Sequence, residues 1–308
     1  LGKQALIAIP VTDRYRMDIA ALRREVTRLR AAKTPIVAIV AVAGSTEEGA
    51  VDEVHEIVAL REELADMEFF IHIDAAYGGY ARTVFVDEDN RFMGRERLQE
   101  ALSSGGILDA GTSWPDDSTL QAFEAFAKVD SITVDPHKLG YVPYQAGAVV
   151  FRDKRARNAI SYFAPYAFSR HEEDNPMLLG SYILEGSKAG AAAASVWAAH
   201  RCVPLDVSGY GRLIGLTIDG AQRLHNALTR KGHFVAGDKR VLVRSLTKPD
   251  TNLVVYAFNV EGNTSLAAMN RLNRAIKEPL TYRSGQILSK DFVVSSTELS
   301  HDEYGDTP

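Results

Sequence analysis

Cysteine is nearly absent from this sequence. Cys202 is the only one among 308 residues, which excludes an internal disulfide framework and fits a reducing compartment. We expect its thiol to be buried. No apolar run reaches the roughly 18 residues that a membrane span requires, and residues 1–4 carry no signal-peptide pattern. These absences predict a cytoplasmic protein that makes no membrane contact.

An excess of positive charge is also missing. The formal net charge at pH 7 is −5, with 35 basic and 40 acidic residues mixed along the chain. Nucleic-acid-binding proteins concentrate basic residues in a patch or stripe, so we expect no nucleic-acid partner. The hydrophobic content of 46% is sufficient for a sizeable core. It predicts one large domain and part of a second.

A lysine follows a short apolar segment in the middle of the chain. Residues 131–141 read SITVDPHKLGY, which predicts a strand that ends before Pro136 and is followed by Lys138. The proline fixes the backbone and His137 lies beside the lysine. An amine held in this way can form a Schiff base with a carbonyl compound. The alternative is an ordinary surface lysine in a turn.

A carboxylate follows a second apolar segment. Residues 69–79 read FFIHIDAAYGG, a predicted strand that ends at Asp74. Asp74 could hold a ring nitrogen protonated, and the small residues after it let a flat ring lie close to the backbone. Both properties fit pyridoxal phosphate. Asp74 could instead cap a turn, and a metal site made of His72, Asp74 and His137 lacks a suitable ligand spacing, so we expect no metal.

These motifs carry a family resemblance. The DAAY run at 74–77, followed by PHK at 136–138, resembles the group II pyridoxal-phosphate decarboxylases, which include the aromatic amino acid and glutamate decarboxylases. The likeness extends to EGAVD at 48–52, ILEGSKAG at 183–190 and YGDTP at 304–308. It looks closest to the bacterial tyrosine decarboxylases, and it covers nearly the whole chain.

The resemblance implies a fold and a domain organisation. It implies an α/β architecture of the aspartate aminotransferase type (fold type I), with a pyridoxal-phosphate-binding large domain at 1–231 and the beginning of a smaller α+β domain at 232–308. The family's ring-stacking histidine and its phosphate-binding loop are not found in this sequence. We therefore expect the chain to be the middle of a longer protein.

The resemblance also implies roles for individual residues. Lys138 would form the Schiff base and Asp74 would pair with the ring nitrogen. The other residues expected in contact with the cofactor are Ala76 at the ring face, His137 at the phosphate and Thr46 near the ring. Tyr166 would donate a proton to the substrate carbon, and Tyr144 would line the substrate pocket. Aromatic packing is the alternative for both tyrosines.

The implied activity is decarboxylation of an aromatic L-amino acid, with L-tyrosine, giving tyramine and carbon dioxide, as the first expectation. Three alternatives remain open: a glutamate or other amino-acid decarboxylase, a carbon-carbon lyase of the same family, and a non-catalytic fragment. The family also implies a homodimer whose active site lies at the interface.

Hydrophobic periodicity predicts the remaining elements. The first half should alternate helices and strands in an open α/β sheet whose ligand lies beyond the strands' carboxyl ends. The predicted strands lie at 34–42, covered on both faces, and at 69–73, 146–151 (antiparallel or edge), 241–243 and 253–258. The predicted helices lie at 18–32, from Asp52 onward, at 120–128, at 187–200 packed on the sheet, for about 20 residues up to 231, and at 265–277. Residues 86–118 are expected to be an irregular insertion, and a mobile loop is expected around 166–174.

Overall fold

Four strands form the sheet that positions the candidate site. The computed structural model describes residues 2, 5–143, 145–156, 189–282 and 292–300. The strands stand in the spatial order β1 (Ala38–Val42), β2 (Phe70–Asp74), β3 (Ser131–Val134) and β4 (Ala148–Phe151). The first three are parallel, and β4 is an antiparallel edge strand. The predicted open α/β sheet and the predicted character of β4 are both confirmed.

Helices connect these strands and continue after them. The α-helices of the described residues are α1 (Ile19–Ala31), α2 (Val54–Glu63), α3 (Arg95–Ser104), α4 (Asp117–Ala125), α5 (Ala191–Cys202), α6 (Tyr210–Lys231) and α7 (Leu266–Lys277). Short 3₁₀ helices occupy Gly78–Phe85, Phe126–Lys128 and Glu278–Leu280. The predicted cap of α1 is confirmed, because the Asp18 carboxylate accepts a hydrogen bond from the Ala21 backbone N–H at 2.9 Å.

The core lies on one face of the sheet. Alternate residues of β1 and β2, such as Ile39 and Ile71, are buried in one cluster with residues of α2 and α4. Val40, which follows Ile39 in β1 and lies on the other face of the sheet, is 52% exposed. The expectation that β1 is covered on both faces is therefore wrong. A continuous apolar run shows that both faces could be buried, but not that a second layer covers them.

Two local expectations in the first half also need correction. The helix α2 begins at Val54 rather than at Asp52, whose carboxylate accepts hydrogen bonds from the backbone N–H groups of Met17 (2.6 Å) and Val42 (2.7 Å). It therefore joins the segment before α1 to β1. The stretch predicted as an irregular insertion contains α3, whose Leu98 and Leu102 are buried. Two apolar residues at i and i+4 are a weak helical signal in a polar segment.

The alanine-rich helix differs from its prediction. None of the residues of α5 is buried, although the small side chains predicted close packing against the sheet. Cys202, its last residue, is exposed rather than buried. Small side chains permit close approach but supply little apolar area to drive it. The alanine-rich composition therefore does not predict where this helix packs.

A second sheet follows α6. This helix ends at Gly232, whose φ of 64° suits a glycine cap. The strands β5 (His233–Ala236), β6 (Lys239–Ser245) and β7 (Tyr256–Val260) then form an antiparallel sheet in that order. The helix α7 packs on β7. Strands and a helix therefore follow α6 as expected, and the domain boundary at 231 and 232 stays a prediction. Within the described residues no helix is both long and apolar enough to cross a membrane.

Candidate functional site

The predicted site residues follow the carboxyl ends of three neighbouring parallel strands. In the sheet register Val42 of β1 lies opposite Asp74 of β2, and Asp74 lies opposite Thr133 of β3. Thr46 comes four residues after the end of β1, and Lys138 comes four residues after the end of β3. Parallel strands place the segments after them at one edge of the sheet. The structure therefore brings Thr46, Asp74 and Lys138 to the same edge.

Backbone hydrogen bonds continue beyond the strands and fix this edge. The Asp135 N–H donates to the Ala76 carbonyl at 3.1 Å, and the Ala75 N–H donates to the Thr133 carbonyl at 3.1 Å. On the other side, the Gly78 N–H donates to the Ala43 carbonyl at 2.9 Å. A Cβ at Gly78 would overlap that carbonyl. The turn after β2 is thus held between its two neighbours, and glycine is required for the approach.

Lys138 is positioned by a tight turn that begins at Asp135. The Lys138 N–H donates to the Asp135 carbonyl at 3.0 Å, with Pro136 at the second position of the turn, which is where proline is favoured. The Nζ atom of Lys138 lies 3.0 Å from Oδ2 of Asp135. Asp135 was not among the predicted site residues. The Asp-Pro pair indicates a turn at Asp135, but it does not predict that the Asp135 carboxylate pairs with Lys138.

Two tyrosine side chains contact the loop that carries Lys138. The Tyr210 hydroxyl donates to the Gly140 carbonyl at 2.8 Å, and the Tyr80 ring lies against Gly140, whose added Cβ would approach it to 2.6 Å. The Tyr80 hydroxyl is 2.9 Å from Nε2 of His200 in α5. Burial raises the pKa of Tyr80 to about 12, so it stays a neutral phenol at ordinary pH. Leu139, which belongs to the same loop, is buried.

His137 is half-buried and turned toward β4. Its Nδ1 atom lies 2.6 Å from the Ala146 carbonyl oxygen, so Nδ1 carries a proton and donates. Its Nε2 atom lies 3.8 Å from Oδ2 of Asp135. His137 and Lys138 therefore share one carboxylate oxygen as a neighbour.

Asp74 and Ala76 occupy the turn after β2. Asp74 is exposed, and its Oδ1 accepts a hydrogen bond from the Ala76 N–H at 3.1 Å. Ala76 is half-buried. The carboxylate thus lies at the open edge of the sheet next to a small residue, where both can face a ligand.

His72 shares a strand face with Asp74, as predicted from their spacing of two residues. Its Nδ1 is 2.7 Å from the Ser131 hydroxyl and its Nε2 is 3.2 Å from the Thr133 hydroxyl. Burial lowers the pKa of His72, an effect that the Asp74 charge opposes. A neutral ring bridged to two hydroxyl groups joins β2 to β3. It was considered from the sequence only as a metal ligand, and none of the described residues form a cluster of three or more potential metal ligands.

Thr46 is exposed beside a large cavity. The cavity has a volume of about 1370 Å³, and its lining includes Thr46, Asn252 and both apolar and polar residues of β7 and α7. Asn252 accepts a hydrogen bond from the Tyr77 hydroxyl at 2.8 Å, which connects the cavity wall to the turn after β2. Tyr144 and Tyr166, the other two predicted site residues, lie outside the described residues. The roles assigned to all seven residues stay predictions.

Comparison with known proteins identifies the family. Residues 1–91 match the family model described as "Pyridoxal-dependent decarboxylase conserved domain", and residues 220–308 match "Tyrosine decarboxylase, C-terminal". Over the whole chain, the sequence is 47% identical to an L-tyrosine decarboxylase of Levilactobacillus brevis and 45% identical to one of Enterococcus faecalis. The chain belongs to the pyridoxal-dependent decarboxylase family. It spans 49% and 50% of the length of these two relatives.

Solved decarboxylase structures share the fold. The match to the Oryza sativa TDC structure with PLP and tryptamine covers 91% of the present chain and 49% of the Oryza sativa chain, with a TM-score of 0.63 and 17% identity. The glutamate decarboxylase domain of a Vibrio parahaemolyticus protein matches 90% of this chain and 44% of that chain, with a TM-score of 0.56 and 18% identity. The predicted fold type and the predicted family are both confirmed.

Proposed function

We propose that this chain carries the lysine-bearing part of a pyridoxal-phosphate-dependent decarboxylase that converts L-tyrosine to tyramine and carbon dioxide. The observation that carries the proposal is the identity of 47% and 45%, along the full chain, with two L-tyrosine decarboxylases. The site supports it independently, because an amine and a carboxylate follow adjacent parallel strands at one sheet edge.

The residues at this edge fit the cofactor. Lys138 supplies a primary amine for an aldehyde, and its side chain is 39% exposed and so accessible. Asp74 supplies an exposed carboxylate for the ring nitrogen. Between them Ala76 presents only a methyl group, which leaves space for a flat ring. The donor set therefore matches an aldehyde-bearing pyridinium ring.

Bound pyridoxal phosphate supplies a ring that accepts the electron pair left on the substrate when carbon dioxide departs. In this proposal Lys138 would hold the cofactor through its aldehyde group. Asp74 would keep the ring nitrogen protonated, because its negative charge stabilises a positive charge beside it. Ala76 would leave space for the ring, which a larger side chain would push away.

The remaining predicted residues complete the proposed site. His137 would contact the cofactor phosphate, and Thr46 would hydrogen-bond near the ring. Tyr166 would donate the proton that replaces the lost carboxylate on the substrate carbon, and Tyr144 would line the substrate pocket. We further propose a homodimer with active sites at the interface. A cytoplasmic location stays a prediction.

The first experiment tests the lysine. The chain is incubated with pyridoxal phosphate, the carbon-nitrogen double bond is fixed with borohydride, and the adduct is located by peptide mass spectrometry. We expect the adduct on Lys138, its loss in Lys138→Ala and its retention in Lys154→Ala, which removes an exposed lysine beyond β4. An adduct that persists in Lys138→Ala would assign the bond to another lysine.

A second measurement separates the candidate activities. Amine products are measured after incubation with L-tyrosine, L-tryptophan, L-glutamate and L-aspartate in turn. Tyramine as the main product supports the proposal, whereas a preferred acidic substrate would replace it with the glutamate-type alternative. A Lys138 adduct without any amine product would identify a cofactor-binding but non-catalytic chain.

A further inference from the structure

We propose that Asp135 is a positioning residue that holds the amine of Lys138 in an ion pair at the strand end whenever that amine is not bonded to the cofactor. This inference rests on the proposed role of Lys138 as the cofactor-binding amine. The sequence motifs did not assign Asp135 a function.

The local sequence forces the two side chains together. Asp135 and Lys138 occupy the first and fourth positions of one turn, which the hydrogen bond from the Lys138 N–H to the Asp135 carbonyl closes at 3.0 Å. A second bond, from the Val142 N–H to the Pro136 carbonyl at 3.0 Å, holds the loop after the turn. The Asp135 backbone N–H is itself bonded to the Ala76 carbonyl in the turn after β2. The carboxylate is thus fixed, and the lysine reaches it without rearrangement of the backbone.

The carboxylate has few competing partners. Its Oδ2 lies 3.0 Å from Nζ of Lys138 and 3.8 Å from Nε2 of His137. Its Oδ1 faces the backbone of Gly147, where an added Cβ would approach it to 3.3 Å. The Asp135 side chain is 17% exposed, so it is shielded more than the lysine that it binds. Lys138 is therefore nearer to this carboxylate than His137 is among the described contacts.

The ion pair affects the reactivity of the amine. A neutral amine condenses with an aldehyde to form a carbon-nitrogen double bond and one molecule of water, whereas an ammonium has no lone pair for attack. An amine that is held in an ion pair must leave the pair and lose a proton before it reacts. The same contact receives the amine after a substrate displaces it. Asp135 therefore restrains the free lysine close to the position where it must react again.

The test is competitive labelling of the cofactor-free protein. Trace acetic anhydride at neutral pH labels neutral amines, and peptide mass spectrometry compares Lys138 with Lys128 and Lys154 in the same sample. We expect Asp135→Asn to increase labelling of Lys138 by about two- to fivefold, the range for a partly exposed ion pair, without a change at the reference lysines. Asp135→Glu restores a carboxylate and should bring the labelling back toward that of the parent.

Asp153→Asn is the matched control, because it removes one carboxylate beyond β4 that pairs with Arg155. Asp153 also interacts with the Lys154 charge, so Lys128 alone is the reference lysine in this variant. It should leave Lys138 labelling unchanged, and circular dichroism checks that each variant is folded. Equal labelling of Lys138 in Asp135→Asn and the parent would overturn the inference, as would a rise that Asp135→Glu does not reverse. No cofactor is added, so a failed adduct experiment would refute the proposed function without altering this result.

Discussion

At the scale of single residues, the proposed roles of Lys138 and Asp74 differ. In the proposed function Lys138 would form the covalent attachment, whereas Asp74 would contribute only a negative charge beside the ring. Its carboxylate is exposed, and its one hydrogen bond among the described contacts comes from the adjacent Ala76 N–H. Replacement by an amide of the same shape should therefore disturb the local structure little.

We predict that Asp74→Asn retains the Lys138 adduct but loses decarboxylation by about 10²–10³-fold, the usual effect of removing one group that stabilises developing charge. The neutral amide cannot hold the ring nitrogen protonated. Adduct mapping and tyramine release are measured on the same preparation. An unimpaired rate in this variant would remove the electrostatic role from Asp74, and loss of the adduct would make it a binding residue.

The residue pattern predicted part of this site and missed part of it. Lys138 and Asp74 could be chosen because strand ends in a parallel sheet converge, which follows from the order of elements alone. Asp135 and His72 could not be assigned in the same way. Their partners are side chains on a turn or a neighbouring strand. The same sequence allows several rotamers of each side chain, so the contacts cannot be predicted from it.

At the scale of elements, the turn that links β2 to its 3₁₀ helix depends on glycine. Gly78 lies against the Ala43 carbonyl, so any side chain forces β1 and the turn apart. We predict that Gly78→Ala lowers the free energy of unfolding by about 1–3 kcal/mol, as overpacking does. It should also weaken formation of the Lys138 adduct, because Ala76 and Asp74 would move with the turn.

Gly220→Ala is the control of opposite sign. Gly220 lies inside α6 with no atom within 4 Å of an added Cβ, and alanine favours a helix interior by about 1 kcal/mol. Urea denaturation followed by circular dichroism compares the two variants. Destabilisation of both by the same amount would mean that the close approach at Gly78 is not the cause.

Elements with strong periodicity were predicted well, and those defined by tertiary contacts were not. The helix α1 was predicted with its Asp18 cap because both signals are local. The helix α3 was missed because its buried stripe consists of Leu98 and Leu102 in a polar segment. The exposed position of α5 could not be predicted from its alanine content, since composition does not specify a neighbour.

At the scale of the whole molecule, a buried charge cluster fastens the loop between β6 and β7 to the first half of the chain. The loop between β6 and β7 places Asp250 against Arg16, with its Oδ1 2.6 Å from Nη2 and its Oδ2 2.8 Å from Nε of the guanidinium. The same carboxylate accepts from Arg14 and from the Val51 N–H. The Asp250 carbonyl accepts from the Trp114 indole N–H at 3.0 Å. Three distant segments of the chain therefore meet at one aspartate.

We predict that Asp250→Asn lowers the free energy of unfolding by about 1.5–3 kcal/mol, because it removes the nearest carboxylate from the buried Arg16 and leaves only the longer contacts with Asp116 (3.4 Å) and Glu53 (3.8 Å). The side chains of Arg16 and Asp250 are only 4% and 3% exposed.

Trp114 reports on the cluster directly, and Trp197→Phe removes the only other tryptophan, which is 68% exposed. Urea unfolding is then followed by fluorescence in this background. Asp66→Asn, which breaks the exposed pair with Arg30, is the control and should shift the transition far less. Equal shifts in the two variants would show that the cluster does not hold the loop between β6 and β7 in place.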